Sequence, residues 1–201
     1  IQAFMMLQQE SIQRVVLVNA DTLTRTCSPQ DRNAYPLLGD AASVAILEPS
    51  TESATIHANL QMDGNQHEKI MIPAGGFRLP CTPETAQVAL ASDGNYRGQE
   101  HYHMDGIAVL NFVQNQIPPL IDNLLSAAAT SLDEVDWFMF HQPNRFMLEK
   151  LADKLGVPRE KLPNDIVEHY GNASSATIPT AITHTLGADL TENTYTMCLC
   201  G

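Results

Sequence analysis

Trp137-Phe-Met-Phe-His-Gln-Pro-Asn-Arg-Phe-Met-Leu-Glu-Lys-Leu-Ala-Asp-Lys-Leu-Gly156 is the stretch from which the fold is read. Trp137 to Phe140 is an apolar run of strand length. From Phe146 to Leu155 the apolar residues recur at helical spacing, and Gly156 and Pro158 stop the pattern. Between them lies Phe140-His-Gln-Pro-Asn144, a strand end followed by a helix start. Catalytic side chains favour that place, because a rigid strand aims them into a crevice.

Outward from this unit, strands and helices alternate, which is the pattern of an α/β protein. Residues 1–12 read as a helix. Arg14 to Ala20 and Ala41 to Leu47 read as buried strands, separated by a long polar loop. Thr51 to Met62 alternates polar and apolar and predicts a half-exposed strand. Residues 63–103 read mostly as loop. Met104 to Thr130 predicts a helix that Pro118 and Pro119 kink or break, since each lacks a backbone donor. Ser131-Leu-Asp-Glu134 is a capping-box signature. His169-Tyr-Gly-Asn-Ala-Ser-Ser-Ala176 is a second glycine-bearing turn before a helix, here of small residues, reaching Leu186. Tyr195 to Gly201 reads as a last strand.

Composition narrows the function. The 201 residues are 44% hydrophobic and 17% charged, a globular balance. The net charge of -12 argues against wrapping nucleic acid, whose phosphates need a cationic surface. No apolar run approaches the ~18 residues of a membrane span. Four cysteines without a C-x-x-C pair fit a reducing compartment, as small core thiols. The motifs of serine hydrolases, P-loop enzymes, dinucleotide binders and zincins are missing. His101-x-His103 finds no matching third or fourth ligand, so no metal centre is expected. Asn172-Ala-Ser174 fits a glycosylation sequon, but nothing else points to secretion.

Taken singly, His141 is also readable as a hydrogen-bonded, partly buried histidine, and Asn172 as a turn residue. Taken together, the segments resemble the 3-oxoacyl-[acyl-carrier-protein] synthase III family of the thiolase-like superfamily. Phe140-His-Gln-Pro-Asn144 resembles its His-Gln-x-Asn segment, with Pro143 where alanine is more usual. Tyr170-Gly-Asn-Ala-Ser-Ser-Ala176 resembles its Gly-Asn-x-Ser segment. Thr24-Arg-Thr-Cys-Ser-Pro-Gln-Asp-Arg32, Leu38-Gly-Asp-Ala-Ala-Ser-Val-Ala45 and Met104-Asp-Gly106 are similar to further segments in the same order.

The resemblance implies a layered αβαβα thiolase-like fold. Residues 1–50 would end its N-terminal half, and residues 51–201 would form most of the C-terminal half. It implies a Cys–His–Asn site for decarboxylating Claisen condensation in fatty-acid or related lipid or polyketide synthesis. His141 and Asn172 would be the catalytic His and Asn, holding the malonyl thioester oxygen as carbon dioxide leaves. The nucleophilic cysteine is expected about two helical turns upstream of Ile1. None of Cys27, Cys81, Cys198 or Cys200 has its position, so this chain by itself is expected to be inert.

Arg32 matches a contact to the coenzyme A nucleotide, and Asn144 a contact to the pantetheine arm. Arg145, Lys150 and Lys154 would dock the acidic acyl carrier protein. They lie in a window with Arg159 and Lys161, interleaved with Glu149, Asp153 and Glu160, and a merely solvated helix face fits equally well. Phe146 stands where the family's docking arginine usually is. The resemblance further implies acyl-CoA and acyl carrier protein as substrates and partners, no separate cofactor, a homodimer and a cytoplasmic place. Two alternatives stay open: a non-catalytic, hydrolytic or acyl-transferring homologue of the same fold, and a binding or dimerisation module.

Overall fold

The computed structural model describes residues 1–50 and 55–201. It opens with a short helix α1 (Gln2–Leu7), shorter than the reading of residues 1–12, followed by β1 (Val15–Thr22) and β2 (Asp40–Leu47). These two strands pair antiparallel along their full length. Then come four two-residue strands: β3 (Ile70–Met71), β4 (Ala89–Leu90), β5 (Tyr96–Arg97) and β6 (His103–Met104). The C-terminal part holds α2 (Gly106–Ala128), β7 (Trp137–Phe140), α3 (Arg145–Leu155), α4 (Ile166–Tyr170), α5 (Thr177–Leu186), α6 (Asp189–Glu192) and β8 (Met197–Cys200).

β7 organises the core. It pairs in parallel with β8, and its side chains alternate between two apolar clusters. Phe138 and Phe140 meet Ile121 of α2 and Leu148, Leu151 and Leu155 of α3. Met139 meets Ile166 of α4 and Ala181 and Leu186 of α5. A strand with helices on both faces must be apolar throughout, which is why Trp-Phe-Met-Phe shows no polar alternation. Asn144 then caps α3, its Oδ1 accepting from Met147 N–H at 2.8 Å, and Gly156 ends that helix in a left-handed conformation.

Three expectations need correction. α2 runs unbroken through Pro118 and Pro119. The missing donors cost hydrogen bonds, but Val113, Ile117, Ile121, Leu124 and Leu125 pack as one stripe on the core and hold the helix together. β1 and β2 are not buried on both faces: the cross-strand partners Val16 and Ile46 are 56% and 63% exposed. The strand expected over residues 51–62 lies partly outside the described residues, and 55–62 is irregular. Residues 166–170, just before the Gly171-Asn172 turn, form α4. The capping box does form, with the Glu134 carboxylate accepting from the Ser131 backbone N–H and hydroxyl at 2.8 Å each. Among the described residues, no helix is long and apolar enough to cross a membrane.

Candidate active site

His141 stands at the exit of β7, and its backbone N–H donates to the Cys200 carbonyl of β8 at 2.7 Å. Its Nδ1 lies 2.7 Å from Thr177 Oγ1, at the start of α5. That contact fixes the ring and leaves Nε2 as the nitrogen open to a ligand. Burial pushes the His141 pKa below its ordinary value, and a hydrogen bond to the Ser174 backbone partly offsets this, so the site favours the neutral ring.

Asn172 arrives by a different route. Its N–H donates to Leu37 O at 2.7 Å, and its carbonyl accepts from Gly39 N–H at 3.0 Å, so the turn after α4 is laced to the entry of β2. The approach is so close that only glycine fits: a Cβ on Gly39 would sit 1.8 Å from Tyr170 O. Gly171, at φ +67°, supplies the left-handed step that a side chain disfavours. Asn172 Oδ1 accepts from Ser174 N–H at 3.0 Å, which leaves the amide Nδ2 as the free donor. Asp21 of β1 anchors the same turn by accepting from Ser175 N–H at 3.0 Å and from the Ser175 hydroxyl.

His141 and Asn172 both line one cavity of about 960 Å³, together with Asn144, Pro143, Cys200 and Leu37. Two neutral groups, an imidazole and an amide, thus face a space large enough for an extended ligand. Asn144 lines the cavity as well; its Oδ1 is engaged in capping α3, and its amide nitrogen remains for a ligand. Arg32 is exposed and is not part of the lining. Lys69 and Arg97, which sequence reasoning passed over, do line the cavity, each paired with a carboxylate of the same lining, Asp105 and Asp93.

Arg97 donates to Asp31 at 2.7 Å and to Asp93 at 2.6 Å, and holds the Asp93 pKa down to about 2. Its partner Asp31 is 66 residues away in sequence, so no local pattern signals the pair. His101 and His103 both spend a ring nitrogen on Gly98, one on its N–H at 2.9 Å and one on its carbonyl at 3.1 Å. They shape a turn.

The basic window divides in two. Arg145 pairs with Glu168 at 2.6 Å, and Arg159 is held by Asp153 and Glu149. Lys161 donates to the carbonyls of Asp133 and Val135. Lys150 lies over the Phe146 ring and Lys154 reaches Asn115, and among the described residues neither has an ion-pair partner.

None of the thiols is activated. Burial pushes Cys27 to about 11, with Asp31 adding to the rise; it pushes Cys198 to about 12 and Cys200 to about 11. Cys81 is exposed, against the core role expected of it, and it too is raised, by desolvation and then by Glu100. A nucleophilic cysteine needs the opposite shift.

Comparison with known proteins gives this arrangement a family. The model of 3-oxoacyl-[acyl-carrier-protein (ACP)] synthase III matches residues 1–64, and that of its C-terminal part matches residues 125–201. A beta-ketoacyl-[acyl-carrier-protein] synthase III of Rhodopirellula baltica is 31% identical, over 93% of this chain and 57% of its own. One from Porphyra umbilicalis is 33% identical, over 88% of this chain and 52% of its own. A crystal structure of a 3-oxoacyl-(acyl-carrier-protein) synthase III superposes with a TM-score of 0.88 at 31% identity, covering 98% of this chain and 58% of that one. The synthase of Burkholderia xenovorans gives 0.82 at 34% identity, covering 98% of this chain and 56% of that one. The chain spans about half the length of the curated relatives it matches. With its α/β, thiolase-like fold, the chain belongs to the 3-oxoacyl-[acyl-carrier-protein] synthase III family.

Proposed function

We propose that these residues supply the malonyl-activating half of a decarboxylating Claisen condensing enzyme. The observation that carries this reading is that His141 and Asn172 line one cavity, the imidazole with Nδ1 engaged by Thr177 and the amide with Oδ1 engaged by Ser174 N–H, so that Nε2 and Nδ2 are left for a ligand. Decarboxylation of a malonyl thioester places negative charge on the thioester oxygen. Two neutral donors aimed at that oxygen stabilise it, and one such donor is typically worth about 10²–10³ in rate. The carbanion equivalent then attacks an acyl group held as a thioester on a cysteine. The four raised thiols of this chain do not suit that step, so the acyl-carrying cysteine belongs to a segment outside these residues. Residues 1–50 belong to the N-terminal half of the complete fold and residues 51–201 to the C-terminal half.

The substrates are acyl-CoA or acyl carrier protein thioesters, and no further cofactor is needed. Asn144 contacts the pantetheine arm. Arg32 reaches the nucleotide only from outside the cavity lining. Lys150 and Lys154 receive the acidic carrier protein, with Arg145 contributing once Glu168 releases it. The enzyme is a homodimer and works in the cytoplasm.

The test uses a form of the protein that carries the acylatable cysteine. Self-acylation is followed by intact mass and malonyl decarboxylation by carbon dioxide release. His141→Ala and Asn172→Ala should each lower decarboxylation by about 10²–10³ while leaving self-acylation nearly unchanged. Equal loss of both half-reactions, with the fold intact by circular dichroism, would overturn the oxyanion role. The 201-residue chain alone should release no carbon dioxide coupled to condensation; turnover by it would mean that one of its own groups is the nucleophile.

A further inference from the structure

We propose that Asp165, His169 and His184 form a binding site for one divalent late first-row transition-metal ion, such as Zn²⁺. The three residues each present one ligand atom, and these atoms all lie within 4.8 Å of one another. Asp165 precedes α4 and His169 lies four residues on, so one helical turn brings them to the same face. His184 comes from α5. Its Nε2 is 3.7 Å from Asp165 Oδ2, and its ring centroid is 5.3 Å from that of His169.

With metal–ligand bonds of about 2.0–2.2 Å, tetrahedral ligand atoms stand roughly 3.3 Å apart, so small side-chain rotations close this set onto an ion. Two imidazoles and one carboxylate suit zinc and its neighbours, whereas calcium and magnesium prefer oxygen alone.

A second observation concerns what Asp165 does not do. It stands at the N-cap of α4, where a carboxylate commonly accepts from the helix N–H groups, yet its side chain makes no cap bond. It faces His184 instead. Asp165 and His184 also border a cavity of about 380 Å³, ample for water to complete the coordination. Arg159 borders the same cavity, but its charge is engaged by Asp153 and Glu149. An ion here would tie α4 to α5, the helices on either side of the Gly171-Asn172 turn. The site shares no ligand with the His141 and Asn172 cavity.

The probe is Co²⁺, added to the metal-free 201-residue chain and followed by visible absorption and calorimetry. One equivalent should bind. His184→Ala and Asp165→Asn should each weaken binding about tenfold or more. Cys81→Ser and His101→Ala should leave it unchanged. Saturating Zn²⁺ should raise the thermal midpoint of the wild type and not that of His184→Ala, as mass action requires. His169 and His184 are exposed, so these variants should fold; circular dichroism checks this, and His169→Gln serves as a second variant. Absence of a one-equivalent binding event, or binding unchanged in both His184→Ala and His169→Gln, would overturn the proposal.

Discussion

Gly39 and Gly171 touch backbone to backbone: a Cβ built on Gly171 would lie 2.8 Å from Gly39 Cα, and one on Gly39 would lie 1.8 Å from Tyr170 O. Leu37 and Gly39 hold Asn172 by two backbone hydrogen bonds across this contact. Gly39→Ala should therefore destabilise the protein by about 3 kcal/mol or more, the upper range for overpacking, because the obstacle is a carbonyl and not a flexible side chain. Denaturant midpoints measure this. A Gly39→Ala chain as stable as wild type would mean that the two turns part without cost. Gly64→Ala, with nothing within 4 Å, is the control.

That contact also shows what the sequence discloses and what it hides. The two turns were each legible, since Gly-Asn before a small-residue helix and Gly-Asp before an apolar strand are local signals. Their meeting is not local: residues 39 and 171 are brought together by the packing of α5 against β2 and β7. The same distinction explains Arg97, whose role depends on distant Asp31. It explains Val16 and Ile46 as well, whose apolar character reads as burial although they lie on an open sheet face. α2 errs in the other direction. A strong local signal, two adjacent prolines, is overridden by the apolar stripe on either side of it.

The pH dependence of stability should report the buried His141. Its folded pKa lies below the ordinary value of about 6.5. The unfolded chain therefore binds the proton more readily. The contribution of the neutral ring is fully present above about pH 6.5 and is lost as the pH falls through the lower folded value. His141→Gln should flatten that part of the profile of unfolding free energy against pH. A profile with the same slope below about pH 6.5 in both proteins would assign the loss to other groups.

Asn144 has two separable duties. Its Oδ1 caps α3 through Met147 N–H, and its amide is left to the cavity. Asn144→Ala should cost about 1 kcal/mol of stability through the lost cap. Asn144→Asp should keep the cap, since a carboxylate also accepts, while removing the amide donor. In the acylatable form of the protein, Asn144→Asp should then raise KM for the thioester with stability unchanged. Loss of stability in Asn144→Asp, or an unaltered KM, would deny the amide its separate role.

Thr177 decides which proton His141 offers. Its Oγ1 is 2.7 Å from His141 Nδ1 and 2.8 Å from the Ser174 carbonyl oxygen, and a hydroxyl has one hydrogen to give. When that hydrogen goes to Nδ1, the neutral ring carries its own proton on Nε2 and can donate to a developing oxyanion. When it goes to Ser174 O, Nδ1 becomes the donor and Nε2 can only accept. Malonyl activation by His141 requires the first state. Thr177→Val removes the hydroxyl, so it no longer donates to Nδ1 and the ring is free to carry its proton there. In the acylatable protein this variant should lose decarboxylation on the scale of one oxyanion donor, about 10²–10³, and keep self-acylation. Thr177→Ser should restore decarboxylation. Nitrogen-15 chemical shifts of His141 give a readout that a merely structural role would not move: protonated Nε2 in the wild type and the serine variant, protonated Nδ1 in the valine variant. The same tautomer and the same decarboxylation rate in all three proteins would show that Thr177 only packs against the ring.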